Sequence, residues 1–431
     1  MRLLDEALFG GGRLLIQALS AIGDPVGRLE TSTDLVAFSQ RIRSTPVVKS
    51  RTGVLLSANL AICSEVLKSS EWRTVPETNR FMDKFLFGDV AASDSIDPIL
   101  DSIISKDGDE HARLRRLIQP AFTHKVMKGW KELAERTSDQ LLSHVASSTG
   151  PIEFVSQVAN PLPITMICEI LGVPADDRES FTSWGNTLAR FGLDGPRSVS
   201  QRDELQAASQ AITEYMSNLV VQRRKMPQDD LLSVLAMAED EGSTLTNREI
   251  VATAAFVLVA GFETTVNLLS VGTATLIENK NQLTKVAANR DLIPNLVEES
   301  LRFVSPVQFT LRAASADTTL DDGTRVRKGQ SMILMLVGAN RDPEVFVDPD
   351  SLIVDRENAR RNIAFGYGAH HCIGAALARL EAEVAWNRLL DRFPHVDVWE
   401  IVGEPTVRQG KTVRGFQTLM VKLGPAAPQG C

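Results

Sequence analysis

The residues best placed to do chemistry stand in one run near the C-terminus, Phe365-Gly366-Tyr367-Gly368-Ala369-His370-His371-Cys372-Ile373-Gly374. Helix-forming Ala375-Ala376-Leu377-Ala378-Arg379-Leu380-Glu381 follows at once. A helix N-terminus carries unpaired N–H groups and positive partial charge, which favour a thiolate just ahead of it. Glycines on both sides let the backbone pass close to a flat partner and turn its N–H groups toward the sulfur. A sulfur held this way can push electron density into an iron. Two plainer readings compete. A lone cysteine is often a small buried hydrophobe. His370, His371 and Cys372 could be zinc ligands, but three adjacent residues cannot all turn to one tetrahedral metal, and no second Cys/His pair is spaced to help.

A second chemical stretch lies inside a long helical pattern, Ala260-Gly261-Phe262-Glu263-Thr264-Thr265. One glycine and two threonines weaken a helix there. A threonine hydroxyl that bonds back to a carbonyl bends the helix and opens a groove for a diatomic ligand or water. Glu263 is an acid in an apolar run, so it is either paired or working. A third stretch, Asp109 to Leu117, opens a helix with acids at its positive end. His111 and Arg115, four apart, share a face of it and suit a dianionic group. A fourth, Glu299-Ser300-Leu301-Arg302, puts an acid and a base three apart, a spacing that is usually a surface ion pair of little worth.

The cysteine run resembles the haem-binding signature of the cytochromes P450, Phe-Gly-x-Gly-x-His-x-Cys-x-Gly. It agrees at all six fixed positions: Phe365, Gly366, Gly368, His370, Cys372 and Gly374. The resemblance implies Cys372 as the thiolate ligand of haem iron, Phe365 packed beside the sulfur, and His370 on a haem propionate. Residues 260–265 resemble the family's acid–alcohol pair in full. Thr264 is then the hydroxyl that serves oxygen on the iron, Glu263 the proton relay, and Ala260 and Gly261 the small residues that leave room on the distal face. His111 and Arg115 are similar to the family's propionate donors, and Arg312 is implied as a third. Glu299 and Arg302 resemble the family's ExxR pair, with Arg356 implied as the third member of a structural network. Phe81, Phe85, Phe87, Val90, Leu188, Phe191, Val307 and Phe309 are the implied substrate contacts. The likeness runs from about Pro46 to about Gly424. It implies an α+β fold, mainly α with small β-sheets, in which haem b lies between a long central helix and the helix after the cysteine loop. One catalytic domain over 46–424 is expected, with an N-terminal extension (1–45) and a short tail (425–431).

The implied activity is that of a monooxygenase that puts one atom of O2 into a lipophilic small molecule. No flavin-domain or iron–sulfur cysteine pattern is present in the chain. Electrons are therefore expected from NAD(P)H through an external ferredoxin reductase and ferredoxin. Arg113, Arg116, Lys125, Lys128, Arg360, Arg361 and Arg379 would form a basic patch that steers an acidic ferredoxin to the cysteine side. A peroxide-driven peroxygenase is disfavoured by the intact acid–alcohol pair, as is a haem-thiolate sensor that turns nothing over.

The surrounding sequence agrees with this. Lys and Arg number 46 against 54 Asp and Glu, a net charge of −8, which disfavours a nucleic-acid partner. Four scattered cysteines form no CxxC pair and fit a reducing cytoplasm. The apolar patch Leu14 to Leu19 is too short to span a bilayer, though an amphipathic contact with a membrane surface is open to it. Helices are expected over Asn59 to Lys68, Ala159 to Gly172, Phe181 to Phe191, Leu205 to Arg224 and Asn247 to Asn279; the family resemblance implies that the third and fourth form a lid. Strands are expected in a hairpin over Pro46 to Ser57 and again at Phe309 to Ala313, Thr318 to Leu320 and Ser331 to Val337.

Overall fold

Thr246 opens the helix on which the fold is built. Its hydroxyl accepts the Glu249 N–H at 3.2 Å, and the Glu249 carboxylate accepts the Thr246 N–H at 2.8 Å. This reciprocal cap starts a helix that runs unbroken from Asn247 to Glu278. The helix is buried on nearly all sides, as one apolar all round must be. Among the described residues it alone is long and apolar enough to cross a membrane, and its burial at the centre of the chain accounts for that composition.

The computed structural model describes residues 12, 14–74, 96–122, 124–148, 150–192, 196, 198–240, 242–408 and 410–428, apart from the side chains of 121, 124–126, 191, 192, 240 and 243. Helices that position the site are α1 (Gly108–Ile118), α2 (His124–Ala146), α3 (Pro161–Leu171), α4 (Arg178–Gly192), α5 (Val199–Lys225), α6 (Asn247–Glu278), α7 (Ile293–Val304) and α8 (Ala375–Arg392). Strands β1 (Val48–Lys49), β2 (Leu55–Ser57), β3 (Trp72–Arg73), β4 (Thr310–Ala314) and β5 (Ser331–Leu334) make one sheet, ordered β1-β2-β5-β4-β3. A later hairpin pairs β6 (Thr406–Val407) with β7 (Phe416–Thr418).

Helices α3, α4 and α5 pack on one side of α6, and α7 and α8 on another. Gly272 lets α8 approach closely: a Cβ there would stand 2.8 Å from the Trp386 ring on α8. Trp386 also donates its indole N–H to Thr273 at 3.0 Å, which fixes the register of the two helices. The short helices at Pro25–Thr31 and Leu35–Ile42 bury Leu29, Leu35 and Phe38 against Leu56, Met335 and Val337, so the core draws on residues before Pro46 as well.

Most expected elements form where the pattern places them. One apolar run does not. Ser331 to Val337 is strand only to Leu334, and Leu336–Ala339 turns into a short helix. Gly338 sits so close to Ser39 and Ala58 that a Cβ would lie 2.5 Å from the first and 2.8 Å from the second. The chain turns where that contact seats it.

Candidate active site

A cavity of about 2240 Å³ lies between α6 and α8 and reaches the edge of the main sheet. Cys372 opens into it. The loop before the cysteine is shaped by Gly366 and Gly368, both in the left-handed region at φ 67° and 69°. A Cβ on Gly368 would also strike the Leu67 carbonyl at 2.5 Å. The Cys372 N–H is tied to the Phe365 carbonyl at 2.9 Å, which brings Phe365 alongside, its ring under the Arg379 guanidinium at 4.6 Å. Protein encloses the sulfur on its other sides. Burial pushes the thiol up, against the pull of the Gly374 and Ala375 N–H groups and of the Arg115 and Arg379 charges. Those two N–H groups at the start of α8 are the sulfur-directed donors that the sequence pattern anticipates.

Four nitrogen donors from three parts of the chain meet along one wall. His111, Arg115, Arg312 and His370 all line the cavity. The His111 and His370 rings lie 4.1 Å apart. Arg115 donates to the Ala369 carbonyl at 3.1 Å. Arg312 is buried on β4 and donates to the Leu311 carbonyl at 2.7 Å; burial pulls its guanidinium down to about 10. His111 departs from the expected cation. Burial, with His370 and Arg115 beside it, pulls its imidazole down to about 4, so it is a neutral donor at pH 7. Asp107 is a member that the motifs did not name. It accepts from Thr74 and meets His370 Nε2 at 3.0 Å. Burial raises Asp107, but bonds from His370 and Thr74 outweigh that and hold it below the usual carboxylate range. Its place before α1 reads as an ordinary helix cap; instead its side chain makes no cap bond and anchors His370.

Across the cavity, α6 presents Ala260, Gly261, Thr264 and Thr265. Thr264 donates back to the Ala260 carbonyl at 2.7 Å and Thr265 to the Gly261 carbonyl at 3.0 Å. The helix stays continuous through them, so the groove is made by small side chains rather than by a break. Glu263 turns the other way. It is 2% exposed, is not among the cavity-lining residues, and binds Arg408 of the β6–β7 hairpin at 2.5 Å. Nothing local in the sequence marks Arg408 as its partner.

Beneath the cavity the Glu299–Arg302 pair is wholly buried, not a surface bridge. Arg302 clasps both carboxylate oxygens at 2.7 and 2.8 Å, and Arg356 Nε reaches both at 3.1 Å. The remaining guanidinium N–H groups go to carbonyls of Asn340, Pro349 and Ser351, pinning the loop ahead of the cysteine run.

Val307 and Phe309 line the cavity as expected. Leu188 does not: it is buried in the main core, because α4 lies flat on α6 with Gly185 against Leu258. Phe81, Phe85, Phe87 and Val90 lie outside the described residues, as do the side chains of Phe191 and Lys125. The basic patch is smaller than expected. Arg113 pairs with Glu249 at the start of α6, and Arg379 binds Glu298 at 2.6 Å. Arg116, Lys128, Arg360 and Arg361 are exposed.

These residues fit haem. An open sulfur with two N–H groups behind it, a wall of donors suited to carboxylates, and a threonine-bearing helix opposite define a haem-thiolate enzyme. The cytochrome P450 family model matches residues 89–409. Cytochrome P450 140 of Mycobacterium tuberculosis is 34% identical over 430 residues, spanning 96% of each chain. Vitamin D(3) 25-hydroxylase of Pseudonocardia autotrophica is 36% identical over 83% of this chain and 84% of its own. The structure of P450BioI with an acyl carrier protein bearing hexadec-9Z-enoic acid superposes with a TM-score of 0.81 at 30% identity, covering 92% of this chain and 98% of that one. The chain belongs to the cytochrome P450 family, and it is a P450 monooxygenase.

Proposed function

We propose that the enzyme hydroxylates a lipophilic molecule of sterol or long-acyl size, using electrons from a separate ferredoxin and ferredoxin reductase in the cytoplasm. The observation that carries this reading is the single cavity shared by the Cys372 sulfur and the Thr264 hydroxyl on opposite sides. Its volume exceeds the few hundred to ~1,000 Å³ of a common ligand pocket, leaving space for cofactor and substrate together. Bound haem would supply the redox chemistry that activates O2 against a C–H bond. Cys372 would give up its thiol proton on ligation, since a metal-bound thiol is deprotonated outright. His111, Arg115, Arg312 and His370 would hold the carboxylate edge. Thr264 would hold a proton donor at the distal face, and Glu263 would supply protons to it from behind. Val307 and Phe309, with Phe256 and Val257 of α6, offer substrate apolar surface. Relatives named for a vitamin D(3) 25-hydroxylase and a steroid C26-monooxygenase support a substrate of that size. Exposed Lys128, Arg360 and Arg361 would meet an acidic ferredoxin.

The test is spectroscopic first. The reduced, CO-bound protein should show the Soret band of a thiolate-ligated haem, and Cys372→Ser should lose it; an unchanged band in that variant overturns the ligand assignment. Substrate-dependent NAD(P)H consumption with a ferredoxin and its reductase, screened with sterols and fatty acids that induce a low- to high-spin shift, then tests the reaction.

A further inference from the structure

The cavity changes character along its length. Phe256, Val257, Val307 and Phe309 make one part of its wall apolar. Its other end is built by the outer part of the main sheet and by a two-stranded hairpin that follows β4, in which Thr318 pairs with Val326 and Thr319 with Arg325. Gln330 ties this hairpin to the turn between β1 and β2: its Nε2 donates to the Gly53 carbonyl at 2.8 Å, and its Oε1 accepts the Arg327 N–H at 3.2 Å. Four cations line this mouth, Lys49, Arg325, Arg327 and Lys328, against two carboxylates, Glu30 and Asp317. All four cations are exposed. Asp317 is already engaged, accepting the Lys328 N–H at 2.7 Å. Among the described residues, no ion pair or side-chain hydrogen bond occupies Lys49, Arg325 or Arg327. The mouth therefore carries an excess of positive charge on a chain whose net charge is −8. Strand β4 leads from one part to the other. Phe309 stands just ahead of it, and its last residue, Ala314, accepts the Gly329 N–H at 2.7 Å beside the charged hairpin. Five residues of extended chain span roughly 17 Å.

We propose that the substrate is an anionic amphiphile, whose long acyl chain fills the apolar part of the cavity while its charged head, a carboxylate or a phosphate, stays at the mouth formed by Lys49, Arg325 and Arg327. The head then gains ion pairs without leaving water, so no charge has to be buried. The chain gains the burial of its apolar surface. A neutral alcohol or sterol of the same length gains only the second. The separation of the two parts also sets a minimum chain length and puts the oxidised carbon far from the head.

This rests on the reading of the cavity as the substrate chamber, and binding is therefore measured apart from events at the iron. Calorimetric titration of the holoenzyme compares hexadecanoate, hexadecyl phosphate and hexadecan-1-ol, with the low- to high-spin shift recorded in parallel. At low salt the better of the two anions should bind about 3–10-fold more tightly than the alcohol, the worth of two or three exposed ion pairs. Which anion that is names the head. The advantage should vanish at about 1 M salt, where charges are screened beyond about 3 Å. The double variant Arg325→Gln, Arg327→Gln should lose the advantage and keep the alcohol's affinity and its CO-bound spectrum; Lys49→Gln should lose part of it. Octanoate, too short to reach from the mouth to the iron, should bind without the spin shift. Equal affinity for anions and alcohol, or an advantage that survives in the double variant, overturns the anionic head. A spin shift with octanoate as large as with hexadecanoate overturns its place at the mouth. Head-dependent binding with no spin shift from any of these ligands would instead sink the reading of the chamber as the place of oxidation and leave the mouth's preference standing.

Discussion

Replacing Glu381 with glutamine should stabilise this protein, and by more the higher the pH. Glu381 is 2% exposed on the cavity face of α8, and its Oε2 has no hydrogen-bond partner. Burial alone pushes its carboxyl up from 4.5 to about 8. No charge from α6, α7 or α2 offsets that: Glu298 of α7 is engaged by Arg379, and Arg388 of α8 leans toward Glu135 and Asp139 of α2. The folded acid is thus neutral at pH 7, whereas the unfolded chain ionises it above 4.5. The raised folded value makes the sign plain. Stability is greatest below pH 4.5, falls as pH rises toward 8, and is flat beyond. At about 1.4 kcal/mol per pH unit, the penalty is on the order of 1 kcal/mol at pH 5 and about 3 kcal/mol at pH 7. Glutamine keeps the shape without the titration and removes the penalty. Urea midpoints of wild-type and Glu381→Gln holoenzyme, followed by tryptophan fluorescence at pH 5, 7 and 8, measure the difference. A gain that does not grow from pH 5 to pH 7 refutes a neutral Glu381.

Two further outcomes follow from the site. Glu299→Gln leaves Arg302 and Arg356 buried against each other without their carboxylate, at a cost of about 3–5 kcal/mol; it should be seen as loss of haem on gel filtration, and a normally pigmented, equally heat-stable variant would count against the network. Thr264→Ala should leave NAD(P)H consumption running while product per NAD(P)H drops by roughly 10²-fold, the low end for a misplaced proton donor. Peroxide should make up the difference, and Thr264→Ser should recover much of the yield; unchanged yield in the alanine variant would remove Thr264 from proton handling.

The parts of the site that the sequence spelled out are those whose geometry is local. Six residues between Phe365 and Gly374 had to follow one another because a single loop carries the sulfur, its glycines and its donor N–H groups. His111 and Arg115 had to be four apart to share a face of α1, and Glu299 and Arg302 three apart to clasp on α7. Central helix α6 was equally plain, because its cap, its length and its apolar composition all fall within one stretch. Even Arg356, 57 residues from Glu299, was reached through the family likeness rather than through any spacing of its own.

What escaped the sequence depends on tertiary approach. Asp107 carries the pattern of an N-cap, and only the fold brings Thr74 and His370 to it in place of the helix N–H groups. Leu188 is a substrate contact only by the family likeness; the seat of α4 on α6, with Gly185 against Leu258, turns it into the core instead. Arg408 lies 145 residues from Glu263 and reaches it by way of a hairpin with no motif. The same division runs through the chemistry. A ligand or a propionate donor acts by what it is, so residue type and spacing reveal it. An acid's surroundings depend on what the fold packs around it: Arg408 stands beside Glu263, and no cation among the described residues offsets the burial of Glu381. The surroundings of both acids are therefore set by how α6, α8 and the β6–β7 hairpin pack, far from the cysteine loop.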